Sequence, residues 1–295
     1  MERAYLAPAE IAARYIEIGY NKANQPWYRL LLLGILAGAF IAFAAEGSNV
    51  AIHTVSSVGL GKALAGALFA TGLMMVVITG AELFTGNTLI LVSCMEKKAR
   101  WAAMLRNWVL VYLGNFIGSM LIVFFILKSG QLNFSQGLLG GFSIKLAAYK
   151  TGLDFSEAFF LGIMCNWLVC LAVWMASAAK DIAGKMLAIF FPIWLFITSG
   201  FEHSIANMYY IPIGILAKSN PAWVAEALTL GATIEQLNML HWGGFLKNIV
   251  PVTLGNIVGG SFFVGMMYWL SFLYKGKNIK TQNKNQRSGG KTNAA

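Results

Sequence analysis

The sequence predicts an all-α membrane protein: six transmembrane helices in an inverted 3+3 repeat, with the second and fifth helices broken. Three observations carry this. The 295-residue chain is 58% hydrophobic and only 12% charged, against about 25% charged in soluble domains. Six apolar spans are separated by connections whose basic residues alternate between rich and poor. Two of those spans are too long for one crossing, and each carries a polar motif inside it.

Taken in chain order, residues 1–28 form the first unit. Within it, PAEIAARYIEIGYNKA (8–23) sets Ile, Ala and Tyr against Glu, Arg and Lys at helical spacing. This predicts an amphipathic helix on the cytoplasmic surface, either lying in the headgroup plane, the preferred reading, or packed under a pore as a gate. No signal peptide is expected, because the first 29 residues hold three acids and no apolar core. The membrane unit, 29–275, has spans at 30–45, 63–95, 108–127, 158–179, 186–217 and 249–274. Sixteen of the 22 Lys and Arg lie in the N-terminal arm, the second and fourth connections and the C-terminal tail. The positive-inside rule therefore puts both termini in the cytoplasm, as an even number of spans requires. The connections 129–155 and 218–247 are expected to pack on the outer face, and the polar tail 276–295 to be disordered. A net charge of +10 placed this way points to membrane topology and not to nucleic acid. Cys94, Cys165 and Cys170 lie in apolar stretches without metal-ligand spacing, as small buried hydrophobes do.

The second span runs 33 residues, 63–95, and the fifth runs 32, 186–217, whereas about 20 suffice for one helix. TGAELFTGN (79–87) interrupts the first and TSGFEHSIAN (198–207) the second. Each has Gly two residues before Glu (Gly80 and Glu82, Gly200 and Glu202) and Asn five after it (Asn87, Asn207). The third and sixth spans also match: NWVLVYLGNFIGS (107–119) aligns with NIVPVTLGNIVGG (248–260). Three spans is an odd number, so the second copy enters from the opposite face. Broken backbone at membrane depth is tolerated only where it is buried in protein or lines a cavity. Paired breaks thus predict a pathway, with half-helix N-termini turned toward a small anion.

His203 is the only histidine inside a span, His53 and His241 lying in connections. An intramembrane ionisable group is costly and is a functional candidate by default. A neutral imidazole can donate to a passing anion, while a histidine merely packed against a carbonyl is the bland alternative. Glu82 and Glu202 are expected to be buried and bonded, anchoring the breaks, since exposed carboxylates would repel an anion. Thr85 offers a hydroxyl at the first break, opposite His203 by the pseudo-symmetry. Asn115 and Asn256 are expected to bond the broken backbones, and Gly118 and Gly259 to allow close helix approach. Lys150, before the fourth span, is either a charge at the outer mouth or a solvated loop lysine, and spacing alone favours the latter.

ELFTGNT (82–88), CNWLVCLAVWMA (165–176), SGFEHSIANM (199–208) and VTLGNIVGG (252–260) resemble the signature segments of the formate/nitrite transporter family, over about residues 8–275. The resemblance implies an aquaporin-like protomer in a homopentamer, in the cell (inner) membrane, with lipid around it and one pore per protomer. It implies that His203 is the central pore histidine and Thr85 the hydroxyl facing it. Asn256 and Asn166 would be amides near the pore, and Lys150 would gain a pore-mouth role. Phe69, Leu73 and Phe196 would form the cytoplasmic constriction and Leu83 the outer one, as dewetting barriers. The cargo expected is a small monovalent anion: formate first, then hydrosulfide, then nitrite, its passage either proton-linked or channel-like. A neutral-solute channel on the same plan is the alternative from a different class. An enzyme is not expected, because one histidine beside one glutamate supplies neither clustered ligands nor a nucleophile with its base. No cofactor or metal is expected either.

Overall fold

The structure, a computed structural model, describes residues 5–274. The expected disordered tail, 276–295, lies outside them. Among the described residues the regular structure is helical apart from one isolated bridge, Tyr5–Ala179. α1 (Pro8–Ala23) precedes the first crossing helix, α2 (Trp27–Ile52). The second segment is α3 (Val58–Thr79), then α4 (Phe84–Asn87), one 3-10 turn and α5 (Leu91–Met95). α6 (Trp101–Ser129) completes the first half. The second half repeats this plan. α7 (Leu138–Gly152) stands where α1 stood, and α8 (Phe155–Ala178) where α2 stood. α9 (Ile182–Thr198) and α10 (Ser204–Ala217) make the broken fifth segment. α11 (Pro221–Thr229) and α12 (Ile234–Met239) fill the next connection. The sixth segment runs as α13 (Trp242–Ile257), a π-helical stretch (Val258–Met266) and α14 (Met267–Phe272). Five apolar stretches are long enough to cross a membrane as single rods, and the fifth segment is made from two shorter pieces. All six predicted spans are therefore present.

The breaks fall where the motifs placed them, but the chain path differs from a simple interruption halfway. α3 has 22 residues, about 33 Å at 1.5 Å per residue, and reaches full crossing length before it stops. Gly80 ends it in the left-handed region (φ 79°), as Gly200 does beyond α9 (φ 75°), a conformation costly for residues with a Cβ. An extended stretch then doubles back, so that Leu83 meets Leu73 at the same cavity. Only there does the next half-helix begin. Close packing follows from glycine: a Cβ at Gly118 would strike the Ile35 carbonyl, and one at Gly259 the Ile163 carbonyl. The contact of α2 with α6 and that of α8 with the sixth segment are thereby matched.

α1 does not present its apolar side to headgroups. Ile11, Ala12, Tyr15, Gly19 and Ala23 are buried, and Ile11, Ala12 and Tyr15 share an apolar cluster with Leu89, Val92, Trp174 and Trp269. Its last turn carries Lys22 to the first break. The outward-facing surfaces of α2, α3, α6, α8 and α9 expose Leu, Ile, Phe and Trp side chains, the composition a bilayer selects.

Candidate functional site

Each break is held by the same set of bonds, made by residues at matching places in the two halves. In the first half, Asn115 Nδ2 donates to the carbonyls of Gly34 (2.8 Å) and Glu82 (3.0 Å), while its Oδ1 accepts the Phe84 N–H (3.0 Å). In the second, Asn256 Nδ2 donates to Gly162 (2.8 Å) and Glu202 (3.0 Å), and its Oδ1 accepts the Ser204 N–H (2.9 Å). One amide thus satisfies a carbonyl left over by the break and the first free N–H of the half-helix. The carboxylates are fixed in the same paired way. Glu82 accepts from Lys22 Nζ (2.8 Å) and Asn87 Nδ2 (2.6 Å). Glu202 accepts from Lys150 Nζ (2.7 Å) and Asn207 Nδ2 (2.6 Å). Asn107 and Asn248 complete the sets, accepting from Asn87 (2.9 Å) and Asn207 (2.8 Å) and donating to the carbonyls of Lys22 (2.9 Å) and Lys150 (2.8 Å).

The symmetry is broken at the centre. The register that pairs Glu82 with Glu202 sets Leu83, not Thr85, against His203. Both are N-caps, Leu83 of α4 and His203 of α10, but only His203 has a side chain that can act. Its Nδ1 accepts the Ala206 N–H (3.2 Å), and its Nε2 lies 2.9 Å from Thr85 Oγ1. An acceptor at Nδ1 puts the proton of the neutral ring on Nε2. The imidazole therefore donates to Thr85, two residues on from the position symmetry would give.

His203 is the one polar side chain on a cavity of about 10 Å³ otherwise lined by Ile41, Phe69, Leu73, Leu83, Val169, Ile193 and Phe196. That is room for about one water. Phe69 and Phe196 meet edge to face, centroids 5.7 Å apart. On the α1 side a larger cavity of about 400 Å³ opens, with Arg14, Lys185 and the Lys22–Glu82 pair on its walls and Leu73 and Leu83 at its floor. All four expected constriction residues, Phe69, Leu73, Phe196 and Leu83, line the small cavity, and Leu73 and Leu83 line the large one as well.

Of the residues proposed to meet cargo, only His203 and Thr85 come together. Asn166 donates to the Asn256 carbonyl (2.6 Å) and lies 3.2 Å from that of Thr85. Asn256 itself is spent on backbone, and the Lys150 ammonium on Glu202. These three brace the site and do not face the cavity. Sequence reading passed over Lys22, Asn107 and Asn248. The two asparagines were visible as the first letters of the NWVLVYLGN and NIVPVTLGN match. Lys22 had only its place at the end of an N-terminal helix whose kinship to α7 no motif betrays.

A sequence model of the family described as "Formate/nitrite transporter" matches residues 9–270. The chain is 37% identical to a probable formate transporter of Methanothermobacter thermautotrophicus, over 92% of this chain and 99% of that one. It is 36% identical to the formate channel FocA of Escherichia coli (strain K12), over 91% and 95%. Among solved structures it is similar to a pentameric formate channel with formate bound, with TM-score 0.76 and 42% identity over 84% of this chain and 98% of that one. It also resembles an FNT family ion channel at TM-score 0.71 and 27% identity, over 90% and 98%. With its paired breaks, its multi-pass helical plan and these likenesses over nearly its whole length, the chain belongs to the formate/nitrite transporter family, whose members are membrane channels and transporters.

Proposed function

We propose that this chain conducts formate across the cell (inner) membrane through a pore in each protomer of a homopentamer, with α1 and both termini in the cytoplasm. The observation that carries the reading is the His203 Nε2–Thr85 Oγ1 pair, 2.9 Å apart, beside a chamber walled by apolar side chains. An anion arriving there accepts from Nε2–H. The Thr85 hydroxyl, released from the imidazole, turns to donate as well. Apolar rings on either side strip the hydration shell, which makes these two donors decisive for an ion and indifferent for water. Arg14 and Lys185 on the walls of the α1-side cavity raise the local anion concentration. The formate-carrying relatives support formate over other anions. The small chamber keeps hydrosulfide, with a single heavy atom, as the second reading. No catalytic step is invoked.

Uptake into sealed proteoliposomes tests this, with formate, hydrosulfide and nitrite compared at acidic and neutral pH. Formate is expected to move fastest, and His203→Phe to abolish the preference. Equal rates for all three, or an unchanged rate and pH dependence in His203→Phe, would overturn it.

A further inference from the structure

Three glutamates are buried among the described residues: Glu46, Glu82 and Glu202. Glu82 and Glu202 each have a lysine. Glu46, 3% exposed, has none. Its Oε2 accepts the Tyr209 hydroxyl in a very short bond, and its Oε1 has no partner. One turn along the same face of α2, Asn49 is 1% exposed and its Nδ2 is also unpartnered. An ionised carboxylate buried without a counter-ion is costly. A proton on the unfilled Oε1 removes that charge.

The fold does not require an acid here. In the register that pairs Gly34 with Gly162, Glu46 stands opposite Trp174, and in the register of the breaks Tyr209 stands opposite Leu89. Trp174 and Leu89 belong to one apolar cluster, with Trp174 stacked on Tyr15 at 4.4 Å. The half that could have kept an aromatic–aliphatic contact carries an acid and a phenol instead, a substitution that packing alone disfavours. The place matters too. Glu46 is six residues from the end of α2, about 9 Å by helix rise, on the α7 side of the protein.

We propose that Glu46, Tyr209 and Asn49 form a proton-binding site on the α7 side of the pore, at which the Glu46 carboxylate takes one proton from bulk water on that face and returns it there. Loaded, the site is neutral and leaves the approach to the chamber open to anions. Empty, it sets a negative charge on the α7 side of the protein, which opposes anions arriving from that face. Other charged and titratable groups stand around it. From α10, Tyr209 bonds to it, and Tyr210 lies within electrostatic reach of both Glu46 and Glu202. The Lys150 ammonium sits 5.4 Å from the Tyr210 ring centroid but is held by Glu202. Lys145 of α7 donates to the Leu230 carbonyl, and Lys62 of α3 lies by Gly200. His53, at the end of α2, bonds to the Val50 carbonyl and Ser135. No ionisable group of α6 bonds to it.

The consequence for anion uptake rests on the formate reading above, whereas proton binding does not, so two measurements separate them. Infrared spectra of the full-length protein in lipid nanodiscs at neutral pH are expected to show a protonated-carboxyl stretch that Glu46→Gln removes. Tyr209→Phe should shift that band to higher frequency, because its carbonyl oxygen loses a donor. A wild-type spectrum equal to that of Glu46→Gln in this region would overturn the proposal. Formate uptake from the α7 face should fall as pH rises through the titration of the site, and Glu46→Gln should lose that extra fall. An identical pH profile in the two proteins, with transport intact, overturns the gating part. A carboxyl band in a protein that moves no formate upholds the proton site and sinks the substrate reading instead.

Discussion

Replacing Lys150 by methionine tests how the second break is held. Lys150 and Glu202 are buried, with side-chain exposures of 9% and 3% and a separation of 2.7 Å. Methionine fills the space of the lysine stem but leaves Glu202 with only the Asn207 amide on its side chain. Removing one partner of a buried pair costs about 3–5 kcal/mol, and the lost ammonium contact with Tyr210 adds to it. Changing Glu202 to Gln in the same protein removes the stranded charge. The double variant should therefore recover most of the loss, with a coupling of about 2–3 kcal/mol. Denaturant titration of the four proteins in detergent measures this cycle. A control exists in the other half. Lys22 is 29% exposed at its side chain, and Gln25 also donates to Glu82. Lys22→Met should then cost clearly less, because water and Gln25 remain. The reasoning fails if Lys150→Met costs under about 1 kcal/mol, or if the two substitutions simply add.

Other perturbations follow from the same geometry. Thr85→Val keeps the shape but removes the hydroxyl, and formate uptake should drop about tenfold, the worth of one hydrogen bond, whereas Thr85→Ser should retain most of it. Asn115→Ala and Asn256→Ala each strand a carbonyl and a half-helix N–H and should destabilise by about 2–4 kcal/mol in the same denaturant assay, with equal losses if the halves are equivalent. Gly259→Ala forces a methyl into the Ile163 carbonyl and should cost about 1–3 kcal/mol. Phe69→Ala removes half of the edge-to-face pair and should raise flux while weakening the preference among anions, as read by parallel uptake of formate and nitrite.

The sequence by itself determined a good deal. Span number, the inverted repeat, the two breaks and the residues at them were all legible, because hydropathy and paired motifs are local properties and lipid forbids unpaired backbone. His203 stood out for the same reason, as an ionisable group in a segment that should have none. What only the tertiary structure decided were matters of direction and partnership. Lys150 looked like a loop charge and proved to be the counter-ion of Glu202. α1 looked like a surface helix and proved to be the counterpart of α7, bringing Lys22 to Glu82. Leu83 and Leu73 came to one face of the chamber because α3 runs its full length before the chain turns back. Glu46 drew no attention, since one acid near the end of an apolar span is ordinary in sequence. It becomes exceptional only when its neighbours are known. Periodicity and composition record what a segment buries, but the partner across a helix interface is set by close packing of distant residues, which no single stretch of sequence contains.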